Sequence, residues 1–188
     1  GYSYNENRQQ ETLTMSAASR NYSYDSLGRL KGKSLSTTAA VAQDYIYYSS
    51  DRNDSIANGT DGLRTKKTVG NEVHEYYYSG GQLMYEKRGS KEFYYTYDFD
   101  GGLSRISYYS GSGNPVLYYP VTNVRGDVQA IFDSSGNLVA EYTYDAWGNT
   151  IEIRDGSGAD ITDQSNIGHL NRIRYRGYYY DAETGIYY

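Results

Sequence analysis

The run Tyr142-Thr-Tyr-Asp-Ala-Trp-Gly-Asn149 decides the fold. It holds an aromatic, an Asp, two variable residues, a Gly and a polar residue, followed by β-branched Thr150. The pattern recurs at Tyr24-Asp25-Ser-Leu-Gly28-Arg-Leu30, Tyr97-Asp98-Phe-Asp-Gly101-Gly-Leu103 and Phe132-Asp133-Ser-Ser-Gly136-Asn-Leu138. A longer copy, Tyr180-Asp181-Ala-Glu-Thr-Gly185-Ile, has one extra residue. Asp followed three places later by Gly is the chemistry of a type I turn. The Asp side chain caps its own turn, and Gly takes the left-handed conformation that closes it. Such a turn makes a hairpin with a bulge. Tyr24 should then face Leu30 and Asp25 face Arg29. Tyr144 should face Thr150, Asp145 should face Asn149, and Phe132 should face Leu138. Side chains alternate between faces of a strand, so Tyr142 and Tyr144 share one face. Trp147, at the loop position that is Leu27 in the first copy, should fold down onto the sheet. The aspartates read as turn formers, with no catalytic role.

Working outward, turn signals recur about every 8–12 residues, the spacing of an all-β meander. Strands read at Thr12–Met15, Tyr45–Tyr48, Leu63–Val69, Glu72–Tyr78, Gln82–Arg88, Phe93–Tyr97, Leu103–Tyr109, Pro115–Tyr119, Val128–Phe132 and Leu138–Tyr142. Residues 36–43 are open between strand and a short helix. Asn123-Val-Arg-Gly-Asp127 is a further turn. Residues 154–170 break the rhythm as a longer loop that has room for one helical turn, and Ile173–Tyr180 resumes the strands. The chain therefore divides into a repetitive sheet over 1–153 and a loop with a closing segment over 154–188, one continuous structural unit. The fold class is all-β: repeated antiparallel hairpins in a curved or spiralling sheet.

Composition agrees. Tyr supplies 26 of 188 residues, against three Phe and one Trp. Tyr is a strand former with an apolar ring and a polar tip. A chain built on it suits sheets with one wet face or sheets lining a watery interior. Mean hydropathy is low, but disordered chains lack aromatics and this one is rich in them. The net charge of -5 argues against a nucleic-acid ligand, which needs a basic stripe. Arg172, Arg174 and Arg176 alternate with Ile173 and Tyr175, as on the wet face of a strand. No apolar run approaches the ~20 residues of a membrane span. The chain holds no Cys, which removes disulfide and thiol chemistry.

The chemistry-bearing residues do not form sites. His74 and His169 lack metal-ligand spacing, and no Gly-x-Ser-x-Gly elbow occurs. Asp51, Asp54 and Asp61 fall in one polar loop, but the calcium-loop motif counted from Asp51 finds Ile56 and Gly62 where it needs Gly and Glu. No catalytic, cofactor-binding or metal residue is assigned, and no cofactor is implied.

At Tyr24-Asp25, Tyr97-Asp98 and Tyr144-Asp145 the chain resembles tyrosine-aspartate repeats. Ile173-Arg-Tyr-Arg-Gly-Tyr-Tyr-Tyr-Asp-Ala-Glu-Thr-Gly-Ile-Tyr-Tyr188 resembles the start of the RHS-repeat-associated core domain. Asn123–Val128 and Glu141–Asn149 are similar to the same family, which takes in RHS, wall-associated and insecticidal toxin-complex proteins, with teneurins as animal relatives. The resemblance implies a bacterial, secreted or cell-wall-associated polymorphic toxin. In that family a spiralling sheet closes into a hollow shell around a C-terminal toxin. It also implies a non-enzymatic role here. The family's self-cleavage aspartates lie in a motif further downstream than residue 188, so Asp181 stays a turn residue. The chain reads as a piece of such a protein, and its partners as the rest of that protein's repeats and its toxin. Open sheet edges are templates for pairing, so a homo-oligomer through edge strands is expected. A cell-surface carbohydrate-binding or adhesion module, suggested by the Tyr density, is the alternative.

Overall fold

An Asp-x-x-Gly turn can hold two strands only in one register, and that register repeats along the chain. The computed structural model describes residues 63–188 throughout and, before them, the backbone of β1 (Tyr2–Tyr4), β2 (Gln10–Met15), β3 (Ala18–Tyr24), β4 (Leu30–Thr37) and β5 (Ser55–Asn58). Then follow β6 (Arg64–Val69), β7 (Glu72–Ser79), β8 (Gln82–Arg88), β9 (Lys91–Tyr97), β10 (Leu103–Tyr109), β11 (Val116–Thr122), β12 (Val128–Asp133), β13 (Leu138–Tyr144) and β14 (Thr150–Arg154). A short helix α1 (Ile167–Leu170) and a two-stranded ribbon, β15 (Tyr180–Asp181) with β16 (Ile186–Tyr187), close the chain. Two compact units result, Gly1–Tyr76 and Tyr77–Tyr188. In the first, β1 to β4 form a four-stranded antiparallel sheet in sequence order, and β6 pairs with β5 and β7. In the second, β8 to β14 run antiparallel in strict sequence order. The fold is all-β and antiparallel, as the turn pattern required.

Six hairpins share one geometry. Tyr24 pairs with Leu30, Asn58 with Arg64, Tyr97 with Leu103, Thr122 with Val128, Phe132 with Leu138 and Tyr144 with Thr150. Each joins a residue to the one six places on. In each, the register then skips one residue of the second strand, as at Ser104, Gln129, Val139 and Ile151. The skipped residue is a bulge, which bends the strand and sharpens its twist. The turn closure is identical where the side chains are described. In Asp98, Asp133 and Asp145 the Oδ1 atom accepts two backbone N–H groups, from the residues two and four places on, at 2.7–3.0 Å. Gly101, Gly136 and Gly148 follow at positive φ.

Two further copies use other residues. Asn123 takes the place of Asp, its Oδ1 accepting from Arg125 and Asp127. Asp155 accepts from Ser157 and Ala159, with Gly158 closing the turn. Residues 154–160 are thus the same turn, not only a loop. Arg154 standing where the aromatic should be hides it. The expected helical turn exists further on as α1, capped by the Asn166 side chain on Gly168 N–H at 2.7 Å. The Tyr180–Gly185 copy differs again: Asp181 is buried, and the Thr184 hydroxyl accepts from Ile186 N–H at 3.0 Å. Asp25 and Gly28, the strand at Tyr45–Tyr48, residues 38–43 and the acids Asp51, Asp54 and Asp61 lie outside the described residues.

Two expectations fail. Ile173–Tyr180 is not a strand. Arg174 leaves the extended region, Arg176 sits at φ 53, and Tyr175–Gly177 makes a single 3-10 turn that brings Ile173 back beside Tyr179. Arg174 is therefore buried, not on a wet face. Trp147 does not fold onto the sheet; it is 83% exposed. Tyr175 occupies that space. Its ring lies where a Cβ on Gly148 would come within 2.4 Å, and its hydroxyl reaches Ala146 O.

One face of β8–β14 is covered and largely apolar. The register places Phe93, Tyr95, Ile106, Ile131, Ala140 and Tyr142 on it, all buried. The helix α1 packs there so closely that a Cβ on Gly168 would stand 3.0 Å from Ala140 Cβ and 2.8 Å from Ile153 Cγ2. Ile167, Leu170, Ile173 and Tyr179 complete the core. Each such aliphatic contributes about 1.5–3 kcal/mol on burial. The other face carries a ladder of tyrosines, Tyr77, Tyr85, Tyr94 and Tyr109, with ring centroids 4.7–5.7 Å apart. Their planes are tilted by 51–69°, so they meet edge to face and present no flat platform.

Gly148 meets both of its constraints at once: φ is +92 and Tyr175 fills the Cβ position. Gly148→Val should cost about 2–5 kcal/mol, from left-handed strain and overpacking. Asp145→Asn should be much milder, because an amide oxygen can still accept both N–H groups. Denaturant unfolding of the two variants checks the ordering.

Candidate functional site: the polar seam under the closing segment

The residues with most chemistry are buried where 167–188 lies on the sheet. Glu86 and Arg88 are two apart on β8, so they share the covered face. Their exposures are 0% and 4%. Glu86 Oε2 accepts from the Tyr95 hydroxyl at 2.9 Å, and Oε1 accepts from the Tyr179 hydroxyl and faces Arg88 Nε at 3.2 Å. The Arg88 guanidinium lies 4.1 Å from the Phe93 ring centroid, and Nη2 donates to Leu170 O at 2.6 Å. Burial, reinforced by the Glu86 carboxylate, holds the Tyr95 hydroxyl well above its ordinary pKa, so it remains a donor. One acid and one base thus bind β8, β9, α1 and Tyr179 together.

Arg174 makes the second knot. Its guanidinium lies 4.7 Å from the Tyr180 ring centroid and 5.4 Å from that of Tyr142. Nε donates to Asn171 O at 3.0 Å, Nη2 to Gly168 O at 3.1 Å, and Nη1 to Thr150 Oγ1 at 3.4 Å. The carbonyls it reaches are those left over at the end of α1, where a cation is favourable. The Tyr142 hydroxyl donates to Gly168 O as well, at 2.8 Å. Asn171, fully buried, bonds the Ile173 backbone through both side-chain ends, at 2.7 and 3.2 Å.

A third grip comes from the β11–β12 turn. Asp127 is 2% exposed. Its Oδ1 accepts Arg176 N–H at 2.9 Å, and its Oδ2 accepts Asn123 Nδ2 at 2.6 Å and Arg125 Nη2 at 3.1 Å. Burial pushes this carboxyl upward, but those donors outweigh it and the pKa is lowered. Val128 N–H donates to Arg174 O at 3.1 Å, and the Tyr187 hydroxyl to Gly148 O at 2.9 Å.

The turn residues singled out in the sequence are spread along the hairpins and do not converge. Asp98, Gly101, Phe132, Asp133, Gly136 and Asp145 serve their own loops, while the Tyr97 hydroxyl donates to Leu83 O at 2.8 Å, the Tyr144 hydroxyl to Val128 O at 2.7 Å, and Gly148 receives Tyr175. Tyr142 and Tyr144 do share a face, their rings stacked at 6.1 Å and 11°. His74 is buried and bonded to Glu72 Oε1 at 2.7 Å. His169 Nε2 lies 2.7 Å from Ile161 O. Among the described residues no group of three His, Cys, Asp or Glu side chains could hold a metal. Among them no helix is long and apolar enough to cross a membrane.

Comparison with known proteins places the chain. No family model matches it. The tRNA3(Ser)-specific nuclease WapA of Bacillus spizizenii is 39% identical over 129 residues, 68% of this chain. The tRNA nuclease WapA of Bacillus subtilis is 38% identical over 134 residues. The chain spans about 5% of the length of each. The crystal structure of TcdB2-TccC3 aligns with 98% of the chain and 9% of its own length, with a TM-score of 0.56 and 20% identity. That likeness concerns the fold. Together they support an RHS-like chain.

Two tests follow from the seam. Removing one partner of a buried ion pair leaves the other uncompensated, at a cost of about 3–5 kcal/mol. Glu86→Gln should fall in that range by denaturant unfolding, and Tyr179→Phe, which deletes one donor to the carboxylate, should cost about 1.5–3 kcal/mol. Acid acts on the turns. Asp133 and Asp145 are held below the ordinary 3.8, first by the Asn137 and Asn149 side chains respectively and then by backbone N–H groups. A depressed folded pKa gives stability that is present above the unfolded value and lost as pH falls through the folded one. Stability should therefore drop below pH 3.8, and the slope there should be shallower in the Asp133→Asn/Asp145→Asn double variant, read by urea titration at pH 2–5.

Proposed function

We propose that the chain is a non-enzymatic wall segment of an RHS-type polymorphic toxin, part of a β-shell that encloses a C-terminal toxin domain. The observation that carries this reading is the strict sequence-order meander of β8–β14, whose single covered face is sealed by the chain's own closing segment. A sheet of this kind grows by adding hairpins, each with the same six-residue register and bulge, and the repeated bulge supplies curvature. The similarity to WapA nucleases over a small part of their length, and the fold likeness to TcdB2-TccC3, support a segment that is not itself the nuclease. The Tyr-Asp pairs act here as hairpin formers that keep the repeat in register. In the parent protein the segment's partners are further repeats and the toxin, outside the cell or at its wall.

The purified chain should leave total tRNA intact on a denaturing gel and keep its own mass over a day. Cleavage of either would overturn the non-enzymatic reading. Electron microscopy of the full parent protein should show a hollow body with an epitope inserted at Ser134-Ser135 in its wall; an epitope on a separate stalk would overturn the shell.

A further inference from the structure

Beside the seam is a cleft of about 430 Å³, between β14, the 160–164 loop, α1 and the ribbon. That lies in the range of small-ligand pockets, ~300–1,000 Å³. Ile151, Ile153, Ile161 and Ala182 form apolar walls, and Arg172 and Arg174 line it. The two arginines differ. Arg174 is committed to carbonyls and Thr150. The Arg172 side chain is half-buried; Glu86 and Tyr179 act on its charge from the seam, and no side-chain hydrogen bond ties it among the described residues. Its guanidinium carries five donors on a rigid fork, and Arg172 lines the cleft.

The surrounding charges also matter. Burial first, and then the nearby Arg88, disfavour a further cation at Arg172. Glu86 is the acid that faces it from the seam, and it is already spent on Arg88, Tyr95 and Tyr179. On the cleft wall Glu152 and Asp160 are engaged by Arg154, at 2.9 and 3.5 Å. His169 is held on Ile161 O.

We infer that Arg172 is the base of a binding site for a carboxylate presented by a peptide side chain, an Asp or Glu seated between the isoleucine walls. Guanidinium and carboxylate match as a planar, bidentate pair. Glu152 and Asp160 at the wall favour a singly charged carboxylate over a doubly charged phosphate. The aliphatic walls suit the methylene stem that carries a carboxylate. The site is complete within residues 150–182 and stands apart from the shell reading.

The test uses the 188-residue chain and two probes, acetyl-Ala-Glu-Ala-amide and its Gln counterpart, with inorganic phosphate as a third. Titration followed by NMR should show saturable binding of the Glu peptide, moving the Arg172 Nε–H and the Ile151, Ile153 and Ile161 methyls. The Gln peptide should bind about tenfold more weakly or worse, the scale of a charged hydrogen bond. Arg172→Gln should lose the same factor, and Arg172→Lys should keep part of it. Equal binding of the two peptides, or no saturable binding of the Glu peptide, would overturn the site. Phosphate binding as tightly as the Glu peptide would overturn the carboxylate assignment. The peptide pair on the unmodified chain decides the matter even where a variant folds poorly.

Discussion

A carboxylate with almost no exposed surface, Glu86, is the constraint on which the closing half of the molecule depends. Its desolvation is unfavourable by several kcal/mol on its own. Among the described residues three groups contact it directly: Arg88 beside it on β8, Tyr95 across the strand pair, and Tyr179 from 93 residues away. The first two are fixed by sheet register, whatever the rest of the chain does. The third arrives only when residues 167–181 have folded onto the sheet. Arg88 works the same way, since its Nη2 finds Leu170 O only in the closed arrangement. The sheet thus carries half of a polar site and the closing segment the other half. Neither half is satisfied alone, which makes their docking specific and not merely hydrophobic. The apolar partners Ile167, Leu170 and Ile173 supply attraction, while the seam supplies register.

The other two knots extend the same logic. Arg174 takes up carbonyls that a four-residue helix cannot satisfy internally, and it stacks on two tyrosines while doing so. Asp127 fixes the unusual backbone at Arg176, a non-glycine residue at φ 53, by accepting its N–H. Strain in the left-handed region of order 1–2 kcal/mol is held in place by a hydrogen bond to a charged group. The tyrosine content now has two distinct explanations. Tyr142, Tyr95 and Tyr179 are buried rings whose hydroxyls finish polar networks. Tyr77, Tyr85 and Tyr94 are a cross-strand ladder on the opposite face. Burial, with Glu92 beside it, pushes the Tyr85 hydroxyl up to about 12.

The hairpins were legible because their physics is local. Asp capping, Gly at positive φ and side-chain alternation all act within seven residues, so Tyr24–Leu30, Phe132–Leu138 and Tyr144–Thr150 could be paired from sequence. The turn at Asp155 was missed because the aromatic was used as part of the signature, whereas the turn itself needs only the Asp and the Gly. Ile173–Tyr180 misled through its period-2 pattern. Alternating Arg and Tyr fit a half-wet strand, but burial of Arg174 against tyrosines and orphan carbonyls was stronger, and those partners lie on other elements. The seam was illegible for the same reason. Glu86 and Arg88 at a spacing of two hinted at a shared face, yet nothing nearby in the chain says that Leu170 and Tyr179 will cover them.

Trp147 shows where the hairpin stops dictating sequence. Its backbone N–H caps on Asp145, and the sheet side of its loop is filled by Tyr175. The side chain therefore has only solvent to face. Phe99 and Val124, one position earlier in their own loops, are also fully exposed. In an antiparallel meander, the turns after β9, β11 and β13 open at the same end of the sheet. At Trp147, Phe99 and Val124 the side chain stays in solvent, whereas Arg125 and Ser157, also between the capping residue and the Gly, turn back onto Asp127 and Asp155. Substitution of Trp147, Phe99 or Val124 leaves the register, the seam and the core untouched, so the character of the rim at those positions is set independently of the fold.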